Sequence, residues 1–195
     1  MEGIKMTRNV KRIAISIVVL STLILVSCSA TKYEIYSNEM FTGKKLLQEK
    51  EYEKAKEYFV QASNIQQDSA SLALLGITYY KMGDTANAER TIREAERIDK
   101  NSNYLLRILG YKSLILLKQD KPEGINALRQ YVDYVKQLGL PLETYNIEEM
   151  IKNNSADLAI LDPKIEEQAT WYEDEMERWG NGEPGYFSEK YGRQP

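Results

Sequence analysis

The chain has 195 residues, with 26 Lys and Arg against 29 Asp and Glu, no histidine and one cysteine, for a net charge of −3. That inventory excludes His-assisted acid–base catalysis, a Cys–His nucleophile, the usual zinc ligand sets and any internal disulfide. The acidic balance also argues against nucleic acid, whose phosphates require a basic patch.

Lys5, Arg8, Lys11 and Arg12 precede a low-polarity run from Ile13 to Val26, 14 residues long. A membrane span needs about 20 apolar residues, whereas the core of a secretory signal needs about 7 to 15. The run therefore predicts export with cleavage, the alternative being a signal anchor that stays uncut. It ends in Leu25-Val26-Ser27-Cys28, which resembles the lipobox of bacterial lipoproteins. That resemblance implies a signal peptide over 1–27, cut before Cys28, and acyl chains on the sulfur and amine of Cys28. The domain would then be held at the bacterial cell membrane or outer membrane. As the sole cysteine, Cys28 would otherwise be a bare thiol exposed to oxidation. Loss of the first 27 residues, with four basic side chains and a single acidic one, takes the net charge to −6. The 168 residues that remain suit one domain with a sizeable core. Residues 28–35 form a lipidated terminus and short linker, and Thr31 with Glu34 is a plausible capping box for a helix beginning near Lys32. So short a connection keeps the domain close to the bilayer.

Residues 36–138 carry a periodic pattern. It is clearest over 69–102, where Leu72, Leu75, Gly76 and Tyr79 keep one helical phase and Ala88, Ile92 and Ala95 another. Met82-Gly83-Asp84 breaks the two apart. Shifted back 33 residues, the pattern falls on Gly43, Ala55, Phe59 and Ala62 and defines a unit over 36–68. Shifted forward 34, it falls on Leu106 and Leu109-Gly110. The second helix of that third unit, 103–138, matches at an offset of 36, with Gly124 and Leu128 in register and a longer turn at Gln119 to Pro122. Pro122 fits the first helical position, and Ile125, Leu128, Val132, Val135 and Leu138 then form a stripe ending at Gly139. These units resemble the tetratricopeptide repeat, a helix-turn-helix of 34 residues. The resemblance implies an all-α, right-handed superhelical array of about three repeats, with neighbours burying faces that one unit cannot bury alone.

The repeat spacing is lost after Pro141. Residues 139–182 read as a helical extension: an amphipathic helix over 142–153, a break at Asn153-Asn154-Ser155, an apolar strip over 156–161, and a last helix capped by Asp162 with Pro163 at its first position. In that helix Ile165, Ala169, Tyr172, Met176 and Trp179 recur at fours and threes. Gly180-Asn181-Gly182 stops it, and it is expected to cap the open end of the array. The tail over 183–195 interleaves Pro184, Gly185, Gly192 and Pro195 with Tyr186, Phe187 and Tyr191. It is expected to form no regular element and either to pack back on the domain or to await a partner.

Glu166, Glu167, Glu173, Asp174, Glu175 and Glu177 form a dense acidic run. Lacking the spacing of a calcium loop, it reads as the solvated outer face of the last helix. No metal site and no cofactor are expected. The repeat resemblance implies a concave groove lined by the first helices, which places Met40, Lys44 and Leu47, then Ala73, Ile77, Tyr80 and Lys81, then Tyr104, Arg107, Tyr111 and Leu114 on its surface. That mixture suits a peptide or helix of another envelope protein. It departs from the repeats that clamp chaperone C-termini, because Met40 and Leu74 stand where polar grips are needed. The expected function is a non-catalytic, membrane-anchored scaffold. Two other readings remain open: a pocket among Tyr80, Tyr104 and Tyr111 for a small hydrophobic or glycan ligand, and a groove filled by the chain's own C-terminal helix and tail.

Overall fold

The computed structural model describes residues 31–100 and 103–192, all of whose regular structure is helical. Cys28 and the signal segment lie outside the described residues. Helix α1 spans 31–48. It is followed by α2 (Tyr52–Ile65), α3 (Ser69–Met82), α4 (Thr85–Ile98), α5 (Leu105–Lys118), α6 (Gly124–Leu138), α7 (Tyr145–Lys152), α8 (Leu158–Gly180) and α9 (Tyr186–Tyr191). The first six helices pair as three helix-turn-helix units, and α3 also packs on α2 and α4 on α5. Thr31 is the first described helical residue.

The central unit shows why this sequence folds as it does. The Asp68 carboxylate accepts the Ser71 N–H at 2.8 Å and caps α3. At the other end Gly83 adopts φ +83°, a left-handed conformation that favours glycine. Asp84 N–H then reaches back to Tyr79 O at 2.9 Å, closing the helix. Asp84 in turn accepts the Asn87 N–H at 3.1 Å and starts α4. The three residues that break the periodicity thus end one helix and begin the next. At Gly76 a Cβ would stand 3.2 Å from Ile92 N, so α3 and α4 meet backbone to side with Ala88 and Ile92 fully buried. Gly110, the equivalent of Gly76 in the third unit, also faces beyond its own pair. A Cβ there would come within 2.5 Å of Ile165 Cγ2 on α8 and 3.2 Å of Tyr131 on α6.

Four expectations change in the C-terminal half. Pro122 opens the single turn that precedes α6, closed by Gly124 N–H to Lys121 O at 3.0 Å, and the helix itself starts two residues later. Helix α7 is shorter than 142–153, because residues 140–144 run without regular structure. The apolar strip and the last helix are one helix, α8, capped by Asp157, whose carboxylate accepts Ala159 N–H at 2.9 Å. Pro163 lies inside it, forgoing one bond to the turn below, and Asp162 sends its carboxylate across to α3 instead of capping. The tail does contain a regular element, α9, whose Gly185 N–H is received by Ser188 Oγ at 2.7 Å.

Helix α9 packs back as one of the two readings requires. Phe187 is buried against Tyr172 and Trp179. The Tyr186 hydroxyl and Lys190 ammonium both donate to Gly139 O, at 2.7 and 3.0 Å, tying α9 to the end of α6. Glu89 accepts from Arg93 at 2.9 Å and from Lys121, and so joins α4 to the turn before α6.

Candidate functional site

The first helices of the units, α1, α3 and α5, supply the floor and one wall of a cleft, and α8, packed along α5, supplies the facing wall. Helix α8 takes this place through two faces. Leu161, Ile165 and Ala169 are fully buried and Tyr172 nearly so. Asp162, Glu166, Thr170 and Glu173, spaced by fours and a three, form a polar stripe beside them.

That stripe meets the cations and hydroxyls of the groove in shared contacts, Asp162 serving two partners and Arg107 three. Lys81 Nζ lies 2.6 Å from Asp162 Oδ1, and the Tyr80 hydroxyl donates to Asp162 Oδ2 at 3.1 Å. Arg107, whose side chain is 6% exposed, uses its whole donor fork. Nη1 lies 2.8 Å from both oxygens of Glu166, Nε 2.5 Å from Glu173 Oε1 and Nη2 3.0 Å from Thr170 Oγ1. The Tyr111 hydroxyl donates to Glu166 as well. Tyr80 and Tyr111 pack edge to face with ring centres 5.7 Å apart, and Lys118 Nζ sits 4.5 Å from the Tyr80 ring centre.

Burial sets the electrostatics here. It opposes the charge on Arg107, yet the Glu173 and Glu166 carboxylates outweigh it and hold the guanidinium even further above its usual range. Burial pushes the hydroxyls of Tyr111 and Tyr80 up, and the neighbouring carboxylates push them further, so both stay protonated donors. The two glutamates diverge. At Glu166 burial is overcome by Arg107, and the carboxyl lies below the usual range. At Glu173 burial wins over the same arginine, and the carboxyl lies above it.

The acidic run is therefore no outer face throughout. Glu166 and Glu173 point into the cleft, and Glu175 is buried where its carboxylate receives Tyr186 N–H at 2.6 Å. Glu167, Asp174 and Glu177 are exposed. The periodicity of the apolar residues alone assigns these acids to the opposite face. The signal that locates them is the spacing of Asp162, Glu166 and Glu173 opposite the unspent cations Lys81 and Arg107.

Of the eleven residues placed on the groove by repeat register, Lys44, Leu47, Ile77, Lys81, Arg107 and Tyr111 line a cleft of about 460 Å³ together with Glu166, Thr170, Glu173 and Asp174 of α8. Met40, Ala73 and Leu114 do not. Ala73 and Leu114 are buried in the core because α3 and α5 are packed on more than one side, and Met40 of α1 is buried in the same core. Tyr80 is buried beneath Lys118 and Asp162, and Tyr104 is half-buried with Lys44 Nζ 5.3 Å over its ring. Tyr80 and Tyr111 meet ring to ring, and of the three tyrosines only Tyr111 lines this cleft. Sequence register missed Gln48, Lys50 and Tyr52, which bring the turn between α1 and α2 to the cleft mouth, and Leu74 on its floor. The C-terminal helix does fill part of the groove, over the third unit. The tail does not.

Comparison with protein families matches residues 69–102, the central unit, to the tetratricopeptide repeat. No curated protein matches the chain.

Proposed function

We propose that this tetratricopeptide-repeat protein is an exported, lipid-anchored adaptor of the bacterial envelope, holding a segment of another protein in the cleft between α1, α3 and α8. Proteins of this repeat class bind other proteins or peptides, and a cleft already formed between helices is where a partner segment adds most buried surface for least rearrangement. The observation that carries the reading is the division of labour in the cleft. Arg107 and Tyr111 are committed to α8, whereas Lys44, Leu47 and Lys50 on the facing wall are at least partly open to solvent. A partner would lay apolar side chains on Leu47 and Ile77 and carboxylates toward Lys44 and Lys50. The anchor is supported by the basic n-region, the 14-residue apolar run and the lipobox-like Leu25-Val26-Ser27-Cys28.

Two variants test it. Cys28→Ala should release or misprocess the protein, and a mature-sized form of that variant in the membrane fraction would contradict anchoring. For the cleft, cross-linking and detergent solubilisation of envelopes should recover one partner with the parent chain and lose it with Leu47→Asp and Lys44→Glu combined. Recovery undiminished by that pair would place the partner elsewhere.

A further inference from the structure

Helix α1 carries two large aromatic side chains that the repeat packing does not use. Tyr33 is 67% exposed and Phe41 72% exposed. Eight residues apart on one helix, they stand about 12 Å along the axis and about 80° around it from one another, on one side of α1. Lys44, also exposed, continues the same side a turn beyond Phe41, and Lys32 and Lys45 flank it. Met40, Leu47 and Tyr36, within about 60° of Tyr33 on the side away from Phe41, pack in the core or against it. Tyr33 is exposed because residues 31–35 project beyond that packing, and Phe41 because it lies on the outward flank. Two solvated aromatics on a helix that has already found its packing partners indicate a second, apolar neighbour.

The chain itself names that neighbour. Between Cys28 and the first described helical residue, Thr31, lie only Ser29 and Ala30. Even fully extended, that stretch spans about 10 Å, so a chain anchored at Cys28 cannot hold α1 away from the bilayer. Tyr33 is five residues from the anchor. Tyrosine suits the headgroup layer, with an apolar ring and a polar tip, and phenylalanine suits the boundary just below it. The flanking lysines suit anionic headgroups. No described helix is long and apolar enough to cross a membrane, so the contact is one of a helix lying on the surface.

We propose that α1 is a membrane-contacting helix that seats Tyr33 and Phe41 in the surface layer of an anionic bilayer. This rests on the lipid anchor at Cys28. The surface fixes the orientation of the domain: the Lys44 side of the cleft is held against the membrane, so the partner segment it receives is one that emerges close to the bilayer.

The test uses the full-length protein extracted from membranes and reconstituted into vesicles of phosphatidylethanolamine and phosphatidylglycerol whose acyl chains are brominated. Tyr33→Trp and Phe41→Trp report depth, after subtraction of the emission of Trp171 and Trp179. Tyr145→Trp is the control, since Tyr145 is 68% exposed at the far end of the repeats. The added emission of the first two should fall by about half or more relative to unbrominated vesicles, as expected for a side chain seated at the headgroup boundary, and that of Tyr145→Trp should not change. Equal, weak quenching at all three positions overturns the proposal. So does a Phe41→Trp signal blind to lipid in a chain whose Phe41→Ala variant loses the captured partner, because the stripe would then belong to the protein partner. If the cell adds no acyl chain, the anchor reading fails on its own. Coupling the sole thiol, Cys28, to a maleimide lipid then poses the surface question separately, with the same two outcomes.

Discussion

Arg107 Nη1 stands 2.8 Å from each oxygen of Glu166, across 59 residues of sequence, and this contact makes α8 a wall of the cleft instead of an appendage to the repeats. A guanidinium so thoroughly removed from water is tolerable only because each of its three nitrogens finds an acceptor.

Removing it should therefore cost more than the pair contributes. Arg107→Ala leaves Glu166, Glu173 and the Tyr111 hydroxyl without the guanidinium between them, with only the charges of Lys81 and Lys44 still acting on the two glutamates. Loss of one partner from a fully buried pair typically costs about 3 to 5 kcal/mol, and the 43% exposure of the Glu166 side chain puts the expected loss at the lower end. Arg107→Lys should recover only part of that, because an ammonium cannot serve Glu166, Thr170 and Glu173 at once. Urea midpoints of the two variants decide it. A loss below about 1 kcal/mol for Arg107→Ala would mean that the cluster is solvated and α8 loosely held.

The two glutamates predict opposite pH behaviour. The Glu166 carboxyl is held below its ordinary 4.5, burial being outweighed by Arg107. Its contribution to stability is present above 4.5 and is lost as pH falls through the lowered value. Glu173 is raised above 4.5 by burial. Its contribution is full below 4.5 and is lost as pH rises through the raised value. From acid to neutral pH, Glu166→Gln should fall progressively behind the parent in stability, and Glu173→Gln should gain on it. Parallel unfolding curves for the two variants across that range would show that the divergence between the two sites is absent.

Helix α8 packs close on the repeats at Gly110, where a Cβ would meet Ile165 Cγ2 at 2.5 Å. Gly110→Ala should overpack that contact at a cost of about 1 to 3 kcal/mol. Ile165→Ala, which empties a fully buried site, should cost about 2 to 5 kcal/mol. Combined, they should cost clearly less than the sum, since each relieves the other. Strict additivity in this double-mutant cycle would mean that the two residues do not touch.

How far the sequence reveals this arrangement depends on which period carries it. The repeat pairs are legible because Gly76, Ala88 and Ile92 recur in their neighbours at nearly fixed offsets, and because the turn at Gly83 and Asp84 has chemistry of its own. Helix α8 is less legible. Asp162-Pro163 looks like a helix start, and it is the Asp157 cap, the buried Leu161 and the pairing of Asp162 with Lys81 of α3 that show the helix beginning at Leu158. Groove residues are the least legible of all. Register gives the side of a helix, yet whether Ala73 or Leu114 sees solvent depends on how many neighbours that helix has, which the period of one unit does not contain.

The last prediction concerns the tail. Helix α9 holds Phe187 under Trp179, supplies Tyr186 N–H to the Glu175 carboxylate and ties itself to Gly139 O, while Trp179 Nε1 donates to Gly192 O at 2.9 Å. Deleting residues 183–195 should uncover Trp171 and Trp179, which are half-buried beside it, and leave the Glu175 side chain, 11% exposed, with Arg178 as its remaining ionic partner at 3.6 Å. The expected result is a red-shifted tryptophan emission and a lower Tm. Phe187→Ala alone should reproduce part of the loss, typically about 3 kcal/mol for a large buried side chain. Partner capture should survive the deletion, because the described residues lining the cleft come from α1, α3, α5, α8, the turn before α2 and the start of α2, and none from 183–192. Capture that strengthens on deletion would put the tail in the cleft as an internal competitor and would contradict its placement against α8 and the end of α6.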